Sequence, residues 1–557
     1  FLSNPVTMVA TAPMDRLDLR MGSVGSGAAG ASGAVDQLTF EVLRLLEERP
    51  TTVIWLFDQS RSLQAQRATI RERFDRMYLE LGMAEDKNLT SIKRERDAGN
   101  IPLLTSIYAF GEKVQQVTPE PLESLAEIQQ AMESIKDDDS GVERIFEAVT
   151  TAAREAKSFT RMVSVQTPDG RIRREPRRNV MLIVVTDERG DDISQLDSAI
   201  AECKKFGIPV SIIGVPAPFG KAVSEIKYVD PDPQFDQTPQ VGLVNQGPES
   251  YLPEVVDIGF ISRDKDLTLD SGFGPYGLTR LCYETGGIYL SVHPNRKIGR
   301  RVRFGEIDPF AAHFDYFFDP VVMRRYRPDY LPPRDYLLAV KQSPLRDSLV
   351  RAASMKGASG LDRPRLRFVV TEAAQLKREI DQAQTTAATL MPALDAMARM
   401  LEPGMSARDK EGSPRWRAGY DLAAGRVLAQ LVRTDAYNYI LADLESGRKR
   451  FEKEKNNTWI LEPSDDLSFS SKLNNRAKAA RELLEDVVND HPDTPWALLA
   501  KTELDVPMGW QWKEDFTDLS PPQRTRPGNN NNNPNRMPRD DQKRMIDRKE
   551  KRPLPKL

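Results

Sequence analysis

The sequence predicts an α/β protein in which a doubly wound, mostly parallel sheet is followed by an α-helical C-terminal region. Between about residues 52 and 292, short apolar segments alternate with amphipathic helical patterns, which is typical of a parallel sheet with helices on both faces. From residue 371 onward, long helical patterns replace this alternation. With 557 residues, the chain is long enough for two or three domains and a tail.

The elements of the sheet region follow from periodicity and length. Residues 21–33 are rich in Gly, Ala and Ser, so we expect a linker there and then a lead-in helix that ends at Pro50. Strands are predicted over residues 53–57, 103–110, 179–186, 209–214 and 287–292. Helices are predicted over residues 64–81, 122–135, 141–157, 194–206 and 276–285.

Two segments interrupt the alternation. Residues 160–178 carry a Pro-Asp-Gly turn between strand-like arms, which predicts a basic hairpin. Residues 216–271 are rich in Pro, Asp, Gly and Gln but also contain apolar residues, and they are too long for a plain connection. We expect them to form an ordered excursion that covers one edge or rim of the sheet.

The composition changes after residue 300. Long helices are predicted over residues 371–401, 414–452 and 470–490, and the last of these begins a helical hairpin that resembles a single tetratricopeptide-like helix pair. The predicted organisation is an N-terminal linker and lead-in helix (1–50), a sheet domain (51–295), an aromatic and proline-rich connecting segment (296–368), a helical domain (369–516) and a disordered basic tail (517–557).

Composition narrows the classes of function. The net charge is only -3, so nothing in the overall charge demands nucleic acid as a partner. Two cysteines and three scattered histidines exclude a disulfide framework and a cysteine or histidine zinc site. The sequence contains no run of about 18 apolar residues, which predicts that the given chain has no transmembrane segment. The loosely apolar start leads us to expect a signal segment upstream.

The strongest chemical signal follows the first predicted strand. Asp58, Ser60 and Ser62 are spaced two apart directly after the apolar segment 53–57. A parallel strand delivers the residues after its carboxyl end to the edge where such sheets bind ligands. One carboxylate and two hydroxyls are hard oxygen ligands of the kind that Mg²⁺ accepts. A helix N-cap by Ser60 or Ser62 would explain the serines without any metal.

The stretch DQSRS resembles the DxSxS signature of the metal-ion-dependent adhesion site in von Willebrand factor A domains. NVMLIVVTDERGDD, which delivers Asp187 to the same edge, and LTRLCYETGGIYLSV extend the resemblance over about residues 52–292. It implies a Rossmann-like sheet and a divalent ion, Mg²⁺ or else Mn²⁺ or Ca²⁺, held by Asp58, Ser60, Ser62 and Asp187. An acidic side chain of a protein partner would complete the coordination shell.

At one ligand position, this sequence departs from the pattern of the family. The family places a Thr in a Gly-Thr loop before a helix, whereas this sequence reads DDDSGVERIFEAV. Ser140 offers a hydroxyl and Glu143 offers a carboxylate, and the sequence leaves both open as the remaining ligand. The difference matters because a further carboxylate would neutralise more of the ion's charge and weaken its attraction for a partner's acid.

The resemblance implies a non-enzymatic, metal-dependent protein-protein interaction, adhesion or scaffold protein. FGKAV, GPES, SGFGPYGLTRL and HPDTPWALLAKTEL look like large von Willebrand factor A proteins of planctomycete-type bacteria. We therefore expect a cell-envelope, periplasmic or secreted location and no specific nucleic acid partner, and an oligomer or larger assembly stays open. The alternatives are a cytoplasmic partner of a MoxR-like or chelatase-like ATPase, and a degenerate site in a fold that is used structurally.

Overall fold

A computed structural model describes residues 23–28, 30–81, 102–166, 170–230, 232–258, 267–355, 364–447, 449–519 and 549–554. The strands are β1 (Ser23–Ala28), β2 (Thr51–Asp58), β3 (Leu103–Phe110), β4 (Val114–Gln116), β5 (Met162–Gln166), β6 (Ile172–Pro176), β7 (Asn179–Val185), β8 (Val210–Gly214), β9 (Val223–Tyr228), β10 (Gln240–Asn245), β11 (Ile288–Val292), β12 (Arg367–Val369), β13 (Thr458–Ser464) and β14 (Gly509–Asp515). The helices are α1 (Gly30–Glu48), α2 (Gln64–Glu80), α3 (Leu125–Glu133), α4 (Ile145–Glu155), α5 (Leu196–Phe206), α6 (Tyr276–Thr285), α7 (Pro320–Met323), α8 (Pro333–Gln342), α9 (Pro344–Ala353), α10 (Ala373–Met405), α11 (Pro414–Glu445), α12 (Ser471–Asp490) and α13 (Pro495–Leu504).

The largest sheet has seven strands in the order β1-β11-β8-β7-β2-β3-β4. Neighbouring strands run parallel throughout except β4, which is antiparallel to β3 at one edge. The chain moves outward from β2 to β3 and β4, and then returns to the other side of β2 to begin β7. This reversal of direction makes the sheet doubly wound and places its switch point between β2 and β7.

The predicted mostly parallel sheet is confirmed, and its strand and helix ends shift by a few residues. The prediction of a linker over residues 21–33 is wrong in the described part. Residues Ser23–Ala28 form β1, which pairs in parallel with β11 at the sheet edge, and α1 already begins at Gly30. Small residues at an edge strand lack the β-branched side chains that signal a strand in sequence, which is why composition pointed to a linker.

Helices cover both faces of the sheet. Successive side chains of the central strand β2 point to opposite faces, and each face packs against its own set of helices. Trp55 and Phe57 pack with residues of α1, α2 and α3 on one face. Ile54 and Leu56 pack with residues of α4, α5 and α6 on the other. The whole of β2 is buried, as expected for the central strand of a sheet with helices on both faces.

Both predicted interruptions are ordered in the described residues. Strands β5 and β6 form the basic hairpin, although residues 167–169 of its turn lie outside the described ranges. Strands β9 and β10 form a second antiparallel hairpin within the excursion 216–271. Backbone hydrogen bonds from the Phe310 and His313 amides to β9 carbonyls hold a later segment along the outer edge of that hairpin.

The C-terminal region is built around α11, which packs against α9, α10, α12 and α13. A three-stranded antiparallel sheet in the order β12-β13-β14 also lies there, although the sequence predicted only helices. The connecting segment 296–368 contains α7, α8 and α9, which were not predicted. The tetratricopeptide assignment of α12 and α13 stays a prediction. Among the described helices, none combines the length and the apolar character needed to cross a membrane.

A buried ion-pair network joins the excursion to α11. The Arg415 guanidinium at the start of α11 donates to the Glu254 carboxylate over 2.6 Å and to the Glu249 carboxylate over 3.1 Å. All three side chains are at most 5% exposed. The Tyr336 hydroxyl of α8 donates to the other oxygen of Glu254 over 2.7 Å. The excursion is therefore fixed to the helical region by charges that water cannot reach.

Replacing Arg415 by Met should lower the free energy of unfolding by about 3 to 5 kcal/mol, because Glu249 and Glu254 would stay buried without a cation. Chemical denaturation of the full chain measures this change. The matched control is Arg417→Met one half-turn away, since the side chains of the Arg417–Asp490 ion pair are 36% and 51% exposed and the pair should contribute less than about 1 kcal/mol. Equal losses in the two variants would contradict a structural role for the network.

Candidate functional site

Asp58 lies at the carboxyl end of β2, at the switch point of the sheet. Its carboxylate is buried and accepts hydrogen bonds from the Ser60 amide over 2.8 Å and from the Thr186 hydroxyl over 2.9 Å. Thr186 directly follows β7, so this contact ties together the ends of two adjacent strands. Burial and the neighbouring Asp187 carboxylate raise the pKa of Asp58, because both penalise its negative charge.

The loop after β2 is held by a buried arginine rather than by a helix cap. The Arg67 guanidinium donates to the backbone carbonyls of Asp58 over 2.7 Å and Ser60 over 2.9 Å, and it also pairs with Asp137. A 3₁₀ turn follows Ser60 without a side-chain cap, and the N-cap of α2 is Leu63. The N-cap alternative for the serines is therefore wrong, which leaves their hydroxyls available for another role.

The structure brings Asp187 to the two serines. The Ser62 hydroxyl donates to the Ser60 hydroxyl over 3.3 Å, and both hydroxyls lie close enough to the Asp187 carboxylate to oppose a rise in its pKa. Asp187 is 7% exposed, and its Oδ1 has no hydrogen-bond partner among the described residues. Burial raises the pKa of Asp187, although the hydroxyls oppose this shift. An unpaired carboxylate oxygen away from water is costly unless a cation or a proton reaches it.

The third loop of the site, before α4, is fixed by Asp138. Its carboxylate accepts the amides of Ser140 over 2.8 Å and Glu112 over 2.7 Å, while its own amide donates to the Gln59 carbonyl over 2.9 Å. A Cβ at Gly111 would lie 2.2 Å from the Asp138 carboxylate, so only glycine allows this close approach. The loop is thus attached to the end of β3 and to the loop after β2.

Ser140 and Glu143 both line the same small cavity, but their surroundings differ. The Ser140 hydroxyl accepts the Val142 amide over 3.2 Å. Glu143 is 3% exposed, and its Oε2 has no hydrogen-bond partner among the described residues. Burial, together with the Asp58 and Glu188 carboxylates, raises the pKa of Glu143. Of the two alternatives, Glu143 is the one whose buried oxygen is unsatisfied.

Sequence reasoning missed the acids that brace this loop. Asp191 accepts the Glu143 amide over 3.2 Å and donates its own amide to the Glu143 carbonyl over 2.8 Å. Asp192 accepts the amides of Phe146 and Glu147 and so caps the start of α4. These bonds explain why α4 begins at Ile145 rather than at residue 141. The run DERGDD contained this information, but nothing in the sequence paired it with the loop.

The cavity at this edge has room for about one water-sized group, with a volume near 10 Å³. It is lined by Asp58, Ser60, Arg61, Ser62, Gly111, Asp138, Ser140, Gly141, Val142, Glu143 and Phe310. Phe310, which the sequence did not indicate, has a φ of 64°. A bulky side chain rarely adopts this left-handed conformation, and such strain is concentrated at functional sites.

The donor set fits a hard divalent cation. Two buried carboxylate oxygens, one on Asp187 and one on Glu143, have no hydrogen-bond donor among the described residues, and two hydroxyls lie beside them. Oxygen ligands of this kind suit Mg²⁺, Mn²⁺ or Ca²⁺. The described residues contain no group of three or more His, Cys, Asp or Glu side chains in a metal-binding arrangement. Any cation would therefore need hydroxyl or water ligands besides the carboxylates.

Comparisons with known proteins add little to this geometry. No family model and no curated protein matches the chain. Two structures of proximal thread matrix protein 1 from the mussel byssus, one described as having a zinc-occupied MIDAS motif, are 14% identical over 30% of this chain and 38% of theirs, with TM-scores of 0.20 and 0.21. Glycerol dehydrogenase from Schizosaccharomyces pombe is 9% identical over 78% of this chain and 94% of its own, with a TM-score of 0.17. With TM-scores this low, these similarities are not evidence for a fold or a function. The sheet described above is compatible with a von Willebrand factor A-like fold.

Replacing Glu143 by Gln should stabilise the metal-free protein in EDTA by about 1 to 3 kcal/mol at neutral pH, because it removes the cost of keeping a buried carboxyl protonated. Since the pKa of Glu143 is raised from 4.5 in the folded state, wild type should lose stability relative to the variant as the pH rises above that value. Thermal unfolding across a pH series measures both effects.

The control for this prediction is Glu147→Gln on the first turn of α4, where the side chain is 41% exposed. We expect this substitution to change stability by less than about 0.5 kcal/mol, as is usual at the protein surface. Added Mg²⁺ should raise the melting temperature of wild type more than that of Glu143→Gln. An equal rise in both would exclude Glu143 as a ligand.

Proposed function

We propose that this protein is a non-enzymatic, divalent-metal-dependent protein-binding module of the von Willebrand factor A type. The observation that supports it is the pair of buried, unsatisfied carboxylate oxygens on Asp187 and Glu143 beside the hydroxyls of Ser60 and Ser62. Mg²⁺ is the proposed ion, with Mn²⁺ or Ca²⁺ as substitutes. The ion would supply an electrophilic position to which a partner's carboxylate can bind.

Each side chain has a separate part in this proposal. Ser60 and Ser62 would ligate through their hydroxyls, and Asp58 and Asp187 would balance the ion's charge directly or through water. We assign the remaining position to Glu143 rather than Ser140, because Glu143 Oε2 is buried and has no hydrogen-bond partner among the described residues. With Glu143 as a ligand, three carboxylates would surround an ion of charge +2, so a partner's acid would bind more weakly than to a site with a neutral fifth ligand.

Phe310 would control access to the ion. Phe310 is one of the residues that line the cavity, and its ring packs edge-on against Tyr228 of β9, with 5.4 Å between the ring centroids. The cavity holds about one water-sized group, which suffices for an ion but leaves no room for a carboxylate as well. A partner's acid would therefore bind only after the Phe310 side chain moved away from the cavity.

The biological setting rests on the sequence alone. The resemblance to large planctomycete-type proteins supports a scaffold or adhesion role in the bacterial cell envelope. The partner in this proposal is another protein that presents an exposed Asp or Glu, because a metal held by carboxylates and hydroxyls binds a further hard oxygen ligand best.

The proposal is tested with an array of peptides that each carry one Asp or Glu, compared with the same peptides carrying Asn or Gln. With saturating Mg²⁺ or Mn²⁺, the full chain should bind acidic members at least about tenfold more tightly than their amides, which corresponds to one metal-carboxylate contact. EDTA and the variant Asp58→Ala should both abolish the difference.

The matched control is Asp75→Asn, an exposed acid of α2, which should bind the array as wild type does. Calorimetry of Mg²⁺ and Mn²⁺ binding to wild type and to Asp58→Ala provides an independent measurement. Absence of metal binding by wild type would refute the proposal, as would peptide binding that EDTA leaves unchanged.

A further inference from the structure

The C-terminal segment 549–554, in the stretch that the sequence predicted to be disordered, lies against the loop between β9 and β10. Three residues of the segment contact the described part of this loop, residues 229–230 and 232–239. The Lys549 ammonium donates to the Pro233 carbonyl. The Glu550 carbonyl accepts the Asp236 amide over 3.0 Å, and Arg552 pairs with Asp230.

Asp230 is the centre of the contact. Its side chain is 2% exposed, although it lies in a surface loop. The Arg552 guanidinium donates from Nε to one oxygen of Asp230 over 2.8 Å and from Nη2 to the other. This two-point arrangement matches the planar fork of arginine and cannot be reproduced by lysine. Besides the guanidinium, the Asp230 carboxylate accepts the Asp232 amide over 2.9 Å, and the hydrogen bond from Arg552 lowers the pKa of Asp230.

The loop also recognises the flat face of the arginine and the backbone around it. The Arg552 guanidinium carbon lies 3.8 Å from the centre of the Phe235 ring, within the range of a cation-π contact. Asp232 adds a second carboxylate at 3.9 Å. The Gln240 side-chain amide donates to the Arg552 carbonyl over 3.4 Å. The loop and the first residue of β10 thus donate to the backbone carbonyls of Glu550 and Arg552, two residues apart, as expected for an extended peptide.

We propose that the β9–β10 loop is a binding site for an extended basic segment that carries an arginine, and that the chain's own residues 549–554 occupy it within the same molecule. Charge complementarity supports this occupant: the loop contributes Asp230, Asp232 and Asp236, and the segment contributes two lysines and Arg552. The Asp230 carboxylate and the Phe235 ring form the pocket that holds the Arg552 guanidinium, and the Pro233 carbonyl accepts the Lys549 ammonium beside it. This inference does not depend on metal binding at Asp58.

The probe is a labelled synthetic peptide with the sequence of residues 549–554, and fluorescence polarisation measures its binding. The full chain carrying Arg552→Ala has an empty pocket and should bind the peptide. Wild type should bind at least about tenfold more weakly, because its tethered segment competes at an effective concentration near millimolar. Lys551→Ala, whose side chain takes part in none of these contacts, should behave as wild type does.

Specificity is tested in the Arg552→Ala chain. Adding Asp230→Asn should weaken peptide binding about tenfold, because the charge-assisted pair becomes a neutral hydrogen bond. A peptide with Ala in place of the arginine should not bind. Equal binding of the peptide to wild type and to Arg552→Ala, or binding that is insensitive to Asp230→Asn, would overturn the proposal.

Amide hydrogen exchange gives a second readout that needs no added peptide. The Asp236 amide should be protected in wild type and in Lys551→Ala, and should exchange faster in Arg552→Ala. Unchanged exchange in Arg552→Ala would show that the segment does not occupy the loop. A wild-type dimer that dissociates on Arg552→Ala would overturn the intramolecular assignment and place the segment on a second copy.

Discussion

The burial of Arg415 between Glu249 and Glu254 is the constraint on which the arrangement of the two halves depends. Glu249 also accepts the Gly220 amide, so one carboxylate is bound both to the start of the excursion and to α11. A charge removed from water costs several kcal/mol unless it is paired. Separating the excursion from α11 would therefore leave these three charged side chains without their partners. The ion pairs thus hold the excursion, which includes the β9–β10 hairpin, in place.

The position of the hairpin matters because the segment that pairs with β9 carries Phe310, which lines the cavity at the edge where β2 and β7 end. Segments that follow the sheet in sequence return to this edge: the Phe310 amide donates to the Lys227 carbonyl of β9 over 2.7 Å. Phe310, with its left-handed backbone, lines the cavity and packs its ring against Tyr228. Strain of this kind persists only where the surrounding structure compensates for it, and the hairpin and the Tyr228 ring supply that compensation.

The sequence predicted the parts of the site that depend on local pattern. An apolar strand followed by alternating Asp58, Ser60 and Ser62 indicated where the loop begins, and the apolar stretch before Asp187 indicated a second strand ending nearby. Because parallel strands end at one edge, the two could be placed together without coordinates. The metal itself, the partner and the cellular location stay predictions, since none of them follows from the backbone.

What the sequence could not show depends on contacts between distant residues. Asp191 and Asp192 brace the Glu143 loop from about 45 positions away, and no periodicity connects them. The same holds for β1, whose small residues show no strand pattern, and for β14, whose pairing with β13 depends on two distant Trp-containing segments. β-pairing is set by packing against partner strands more than by intrinsic preference, so a single sequence does not reveal it.

The acids around the cavity differ in whether they form an ion pair with an arginine. Arg61 pairs with Asp139 over 2.9 Å, and Arg552 pairs with Asp230 nearby. Asp187 and Glu143 instead lie beneath the rim with unpaired oxygens among the described residues. In the low-dielectric interior, unpaired carboxylates repel each other and hold protons. A divalent cation would remove this repulsion without rearranging the rim, because the arginines there already have their own acids.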